Sequence, residues 1–112
     1  MLARRYRLTK SDNISEILKS GNMAASRFLI ARFRKNELDH HRFSTIVSTK
    51  IERRAVVRNR IRRQIYEIIR LHLEKIAGTA HFDILILPKK AIIGTTYDDL
   101  EKSFSKLLPH IQ

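Results

Sequence analysis

The stretch KIERRAVVRNRIRRQIYEIIR, Lys50 to Arg70, combines a dense positive charge with apolar residues at helical spacing. It contains eight basic residues and only two acidic ones, Glu52 and Glu67. The pattern predicts a helix from about Ala55 to Ile76 that ends near Gly78. With one residue every 100°, the apolar side chains fall within an arc of roughly 160° that we expect to be buried. These side chains are Ile61, Ile65, Ile68, Ile69, Leu71 and Ile76.

The opposite face of this predicted helix is polar and rich in arginine. Between Arg53 and Arg63, six of the eleven residues are arginine and none is acidic. A solvated helix face usually mixes charges of both signs, whereas the planar guanidinium group grips phosphate with two hydrogen bonds. Phosphate binding is therefore favoured over a merely solvated surface. The face comprises Asn59, Arg62, Arg63, Tyr66, Glu67, Arg70 and Glu74, with Arg60 at its edge.

Two other functions of a basic helix fit this sequence less well. A membrane-surface helix keeps a broad apolar face exposed, but here the apolar face is needed to cover a sheet. A helix-turn-helix DNA reader requires a second helix just before the first, and strand-like segments precede this one.

Composition also points to a nucleic-acid partner. The 112 residues include 23 Lys and Arg against 11 Asp and Glu, which gives a net charge of +12 and a pI of about 10.8. Such an imbalance favours binding to polyanions. The absence of cysteine excludes disulfides and thiol-ligated metals. No apolar run reaches the roughly 18 residues of a membrane span, so we expect one soluble, cytoplasmic domain over residues 1–112.

The remaining segments predict a helix–strand–strand–helix–strand–helix order. Thr9 and Asp12 are spaced like a capping box before a short helix that Gly21 ends, with Ile14, Ile17 and Leu18 on its apolar face. The SRFLIARFR segment predicts a strand with Phe28, Ile30 and Arg32 on one face and Leu29, Ala31 and Phe33 on the other. Further strands are predicted from Arg42 to about Thr49 and from Phe82 to Leu87, the latter ended by Pro88. The last helix begins near Thr96, with Asp98 and Asp99 in its first turn and an apolar stripe of Tyr97, Leu100, Phe104, Leu107 and Leu108.

The segment STKIERRAVVRNRIRRQIYE, residues 48–67, resembles the signature of the protein subunit of bacterial ribonuclease P. The similarity extends over essentially the whole chain, through RYRLTKSDNISEILKSG near the start, FDILILPKK with Asp83 and Lys89, and TTYDDLEKSFSKLL near the end. Ile14 and Leu18 stand where this family usually has aromatic residues, and Tyr66 stands where it often has arginine.

The resemblance implies an α+β fold and a role in tRNA maturation. The fold is a small α/β sandwich in the order αβββαβα, similar to the second domain of ribosomal protein S5, with a left-handed βαβ crossover. The role is to assist a catalytic RNA that removes the 5′ leader of precursor tRNA. In such an endoribonuclease the RNA carries the catalytic groups and most of the bound Mg²⁺, so no catalytic residue, protein-held metal or organic cofactor is expected on this chain. The expected partners are the catalytic RNA and precursor tRNA, without a membrane or an obligate protein partner.

The resemblance also assigns residues to two surfaces. The signature helix would contact the catalytic RNA through Lys50, Arg53, Arg54, Arg58, Asn59, Arg60, Arg62, Arg63, Tyr66, Glu67 and Arg70. A central cleft between the sheet and the first helix would hold the single-stranded leader, with Arg5, Arg7, Ile14, Leu18, Phe28, Arg32 and Lys89 as candidates. Among the aromatic residues that could stack on bases, Phe33 and Phe43 are instead expected in the core, whereas Phe28 and Tyr6 stay open.

Several other groups have simpler interpretations. We interpret His40 and His41 as part of a polar turn rather than a metal site, and Asp98 and Asp99 as helix N-terminal residues. Glu67 is expected to orient the guanidinium groups of Arg63 and Arg70 or to form ion pairs with them. Two other functions remain open at this point: a structural rRNA-binding protein, and a nuclease that uses Asp98 and Asp99.

Overall fold

Three α-helices and four β-strands form the described part of the chain, residues 2–9, 14–76 and 80–111 of a computed structural model. The helices are α1 (Ile14–Ser20), α2 (Ala55–His72) and α3 (Tyr97–Leu107). The strands are β1 (Asn22–Ala25), β2 (Leu29–Lys35), β3 (Arg42–Thr45) and β4 (Phe82–Pro88). This order confirms the predicted αβββαβα arrangement of a small α+β domain.

The four strands form one mixed sheet in the order β1-β2-β4-β3. β4 pairs antiparallel with β2 and parallel with β3. Because β3 and β4 are parallel neighbours, α2 is the crossover that connects them. The predicted left-handedness of that crossover stays a prediction.

The two faces of the sheet carry cores of different size. On one face, alternate residues of β2, β3 and β4 pack with α2 and α3 in a large cluster that includes Phe33, Phe43, Ile84 and Phe104. Phe33 and Phe43 are 3% and 0% exposed, which confirms that both are core residues. On the other face, α1 contributes Ile17 to a small cluster with Leu8 and Leu85. The large core therefore positions α2, while α1 covers only part of the opposite face.

The buried side of α2 differs from the predicted one at a single turn. Ile61, Ile65, Ile68 and Ile69 are buried as predicted, but Leu71 is 49% exposed. His72 is buried instead, because it lies two turns after Ile65 on the same stripe. Its ring stands edge-on to Phe104, and its Nδ1–H donates to the Ile68 carbonyl over 2.9 Å.

The end of α2 also differs from the prediction. The α-helix stops at His72, and the 3₁₀ segment Leu73–Lys75 follows. Ile76 lies beyond that segment and is partly buried against the large core. Gly78, the predicted end of the helix, lies outside the described residues.

Two predicted strands have different bounds, and one strand was missed. The strand at Arg42 ends at Thr45 rather than near Thr49, and β1 was not located from its residue pattern. β2 begins at Leu29, so Phe28 precedes it. The backbone N–H of Phe28 donates to Ser103 Oγ of α3 over 3.0 Å, and its ring packs in the large core. The prediction that Phe28 shares a face with Arg32 was therefore wrong.

The predicted end of the first helix at Gly21 and the predicted start of the last helix near Thr96 are confirmed. Gly21 donates its backbone N–H to the Ile17 carbonyl, and a Cβ at position 21 would lie 2.5 Å from that same oxygen. Only glycine fits this close approach. At the start of α3, the Thr96 hydroxyl accepts from the backbone N–H of Asp99. The predicted partner of Thr9 at the start of α1, Asp12, lies outside the described residues.

Candidate nucleic-acid interface

Hydrogen bonds that Arg54 and Arg58 form with the preceding loop at Glu52 brace the N-terminus of α2. Arg54, the residue before the helix, has no side-chain cap, and the first turn contains no acidic residue. The Glu52 carboxylate accepts from the backbone N–H of Arg54 at 3.1 Å and from its Nε at 2.9 Å. Arg58 Nη1 donates to the carbonyls of Glu52 and Arg53 at 3.0 and 2.6 Å. The side-chain hydrogen bond from Arg54 is the main cause that lowers the pKa of Glu52 to about 2.

Beyond this brace, the helix presents unpaired cations to solvent. Arg53, Arg60 and Arg63 are exposed, and none of the three forms an ion pair with another described residue. Arg62 is partly buried and donates to the side-chain oxygen of Asn59. The backbone N–H groups and partial positive charge of the helix N-terminus lie on the same side of the molecule. Cations in such a position repel one another and favour a bound anion.

The second half of α2 is more nearly neutral. Glu67 accepts from Arg70 Nε and Nη2 at 3.1 and 2.5 Å, which confirms the expected contact with Arg70. The expected contact with Arg63 was wrong, because Arg63 forms no ion pair with another described residue. The hydrogen bond from Arg70 lowers the pKa of Glu67. Tyr66 is partly buried, and its hydroxyl accepts from the backbone N–H of Thr45 at 3.3 Å. The positive face therefore lies mainly on the first two turns and the preceding loop.

The fold adds a cation that the sequence analysis missed. Lys90, just after β4, lines an open depression of about 630 Å³ together with Lys50 and Arg53. Lys90 lies forty positions after Lys50 in the chain, so no local sequence pattern could indicate that the two side chains come together. The crossover brings them to one place because β3 and β4 are adjacent and parallel.

A second candidate surface lies between α1 and the sheet. Arg32 Nη2 donates to the Leu18 carbonyl at 2.7 Å, and Arg34 pairs with Glu16 at 2.7 Å. These two contacts fasten α1 across β2. Ile14 packs against the small cluster, whereas the Leu18 side chain is 39% exposed beside the sheet. These contacts place the exposed apolar surface of Leu18 beside the guanidinium group of Arg32 on the α1 side of the sheet.

The other predicted cleft residues do not all lie on the α1 side of the sheet. Arg5 lies near the start of β3, with its guanidinium 5.1 Å from the Tyr6 ring centroid, and Arg7 bridges to Phe43 of β3. Lys89 follows the far end of β4, where its N–H donates to the Phe28 carbonyl. Phe28 packs on the α3 side of the sheet, with Arg27 over its ring at 5.0 Å.

The structure shows where the adjacent pairs His40–His41 and Asp98–Asp99 lie. His40 lies in the turn as predicted, but His41 is buried and accepts from the backbone N–H of Phe82, so the polar-turn interpretation was wrong for His41. Asp98 and Asp99 occupy the first turn of α3, as predicted. Within the described residues, no three or more His, Asp or Glu side chains form a group that could hold a metal ion. None of the described helices is long and apolar enough to cross a membrane.

Comparison with known proteins decides the family. The family model for ribonuclease P matches residues 2–112. The chain belongs to the family of ribonuclease P protein components. It is 30% identical to the ribonuclease P protein component of Syntrophomonas wolfei over 108 residues, which cover 96% of this chain and 88% of that protein. It is 35% identical to the component from Fusobacterium nucleatum over 104 residues, covering 89% and 91% of the two chains.

Solved structures of ribonuclease P proteins share the fold. The protein from Thermotoga maritima superposes with a TM-score of 0.82 at 25% identity, covering 95% of this chain and 97% of that one. The Staphylococcus aureus protein gives a TM-score of 0.79 at 27% identity, with 96% and 95% coverage. The loop and the first turns of α2, where the exposed cations are concentrated, lie within the residues that the family model matches.

Proposed function

We propose that this chain is the protein subunit of ribonuclease P and binds the catalytic RNA through the N-terminal half of α2. The observation that carries the proposal is the set of exposed arginines at positions 53, 60 and 63, which form no ion pair among the described residues. The buried isoleucines hold Arg60 and Arg63 on a rigid helix, and the Glu52 brace fixes the preceding loop, which carries Arg53. A folded RNA is a dense polyanion that would relieve the repulsion among them.

The single-stranded 5′ leader of precursor tRNA would lie on the candidate surface between α1 and the sheet. Unpaired bases bind where apolar or aromatic surface alternates with basic side chains. Leu18 supplies exposed apolar surface there, and Ile30 of β2 is partly exposed on the Arg32 face of the sheet. Arg32 is fixed by its bond to the α1 backbone, so its position does not depend on the bound leader.

In this proposal the RNA supplies the active site. Mg²⁺ ions, held chiefly by the RNA, would supply activation of the attacking water and stabilisation of the leaving oxygen. The residues of this chain bind the catalytic RNA and the substrate through complementary charge and shape, and so position one relative to the other. Because the chain neutralises phosphates near the cleavage site, it should lower the Mg²⁺ concentration that the RNA needs.

Reconstitution tests the proposed function. The chain, added to a bacterial ribonuclease P RNA at low Mg²⁺, should increase cleavage of precursor tRNA at the mature 5′ end. The protein without RNA should leave the substrate intact. Absence of stimulation, together with co-sedimentation with ribosomes at moderate salt, would replace the proposal with a structural rRNA-binding role.

A further inference from the structure

A groove beside the arginine-rich face of α2 has an apolar floor and a basic rim. It runs between α2 and the segment that leads into α3, with a volume of about 500 Å³. That volume falls within the ~300–1,000 Å³ of typical ligand sites. The floor consists of the buried Ile61, Ile92 and Leu100 together with the partly buried Val57. Ile93 lines the groove as well, yet it is 42% exposed.

The backbone keeps Ile93 at this position. Gly94 has φ of +82°, a conformation that residues with a Cβ adopt rarely. The turn at residues 93–94 thus carries the chain from the 3₁₀ segment Lys90–Ile92 into α3 without covering the groove. Ile93 therefore offers exposed apolar surface beside the cations of α2.

The rim of the groove is positively charged. Arg60 is exposed and forms no ion pair among the described residues, and Arg54 stands at the entrance, paired with Glu52. The depression lined by Lys50, Arg53 and Lys90 adjoins it, because Arg53 and Arg54 are consecutive. Gln64 lines the groove with an amide that can both donate and accept. A ligand that complements this groove has negative charge at the basic rim. Its planar, apolar part lies on the floor and forms hydrogen bonds with the Gln64 amide.

We propose that this groove binds an unpaired nucleotide of the catalytic RNA. The base lies against Val57 and Ile93 with its edge at the Gln64 amide, and the flanking phosphates contact Arg60 and the Lys50–Arg53–Lys90 depression. Apolar side chains can sandwich an extruded base, and unpaired bases are what proteins read most readily in folded RNA. The inference rests on the proposed function and adds a specific subsite to it.

Affinity measurements separate base contact from charge. Ile93→Asn should weaken binding to the catalytic RNA by about fivefold or more, because the apolar contact between this side chain and the base is lost. The slope of log affinity against log salt should stay unchanged, because no charge is removed. Leu71→Asn is the matched control, since Leu71 is an exposed apolar residue of α2 that lies outside the groove. Thermal unfolding of both variants checks that they fold.

Site-specific cross-linking gives a readout that does not depend on affinity. The chain contains no cysteine, so Ile93→Cys and Leu71→Cys can each carry a single thiol-linked photo-cross-linker. Ile93→Cys should cross-link to one or a few nucleotides that are unpaired in the RNA, and Leu71→Cys should not. The assignment is overturned if Ile93→Asn binds as tightly as Leu71→Asn, or if the cross-links fall only in paired helices. Failure of the unmodified chain to bind the catalytic RNA would instead overturn the proposed function together with this inference.

Discussion

Tyr66 lies where the helical repeat places a solvent-facing residue, but the structure gives it a packing role. Its ring contacts the large core, and its hydroxyl accepts from the backbone N–H of Thr45 at the end of β3. The side chain therefore joins α2 to the strand that precedes it. Sequence alone could not indicate this contact, because an amphipathic tyrosine at the boundary of a buried face can turn to either side.

Tyr66→Phe should destabilise the protein without weakening RNA binding. Loss of the hydroxyl leaves the Thr45 N–H without this acceptor, which costs about 0.5–1.5 kcal/mol. Urea denaturation measures the loss, and titration of the catalytic RNA measures affinity. If the variant kept full stability and bound RNA more weakly, Tyr66 would be a base contact rather than a structural one.

The Glu52–Arg54 brace predicts a pH dependence of stability. Hydrogen bonds from Arg54 lower the pKa of Glu52 from 4.5 to about 2. Because the folded pKa lies below the unfolded one, the stabilisation is fully present above about pH 4.5 and is lost as the pH falls toward 2. The difference in melting temperature between the wild type and Glu52→Gln should thus shrink over that range. Glu37→Gln, which changes an exposed carboxylate in the loop between β2 and β3, is the control. A constant difference for Glu52→Gln would contradict the brace.

At the scale of elements, α2 shows what periodicity determines and what it leaves open. The burial of four isoleucines was predicted correctly. Their 3.6-residue repeat puts them on one side of the helix, and only one orientation of the helix turns that side toward the sheet. Leu71 and His72 were exchanged because hydrophobicity alone assigns leucine to the core and histidine to solvent. The structure buries His72 by giving its Nδ1–H the Ile68 carbonyl as acceptor.

Because Ile68 is buried and Leu71 is exposed, replacing each by alanine should change the stability of the protein by different amounts. Ile68→Ala should lower the free energy of unfolding by about 2–5 kcal/mol, because Ile68 is 1% exposed and its loss leaves a cavity. Leu71→Ala should change it by no more than about 0.5 kcal/mol, as for other exposed sites. Chemical denaturation of both variants provides the comparison. Equal losses would mean that the helix is rotated from the orientation described.

The short strand β1 shows the opposite situation. Its four residues have the burial pattern exposed, exposed, buried, exposed, so they carry almost no alternation. β1 exists because it pairs with β2, with Ala24 opposite Ala31. Such a strand depends on a tertiary partner and has no local signal that a residue pattern could reveal. Phe28 was misplaced for a related reason, since the chain turns before β2 begins.

At the scale of the whole molecule, the signature located the basic surface, and the fold completed it. The loop and first turns of α2 could be identified because their charge pattern is continuous in sequence. Lys90 and Ile93 could not, because they come close to α2 only through the parallel pairing of β4 with β3 and the turn at Gly94. The cleft candidates were separated for the same reason, with Phe28 on the α3 side of the sheet and Arg32 on the α1 side.

The central claim is that position on α2, rather than the net charge of +12, determines RNA binding. Two double variants remove the same charge from different places: Arg62→Ala with Arg63→Ala on α2, and Lys102→Ala with Lys106→Ala on the exposed side of α3. Affinity for the catalytic RNA, measured over a salt series, is the direct test. The α2 variant should bind more weakly, with a salt slope reduced by about 2, while the α3 variant stays close to wild type. Equal effects of the two variants, or an unchanged slope for the α2 variant, would contradict the account.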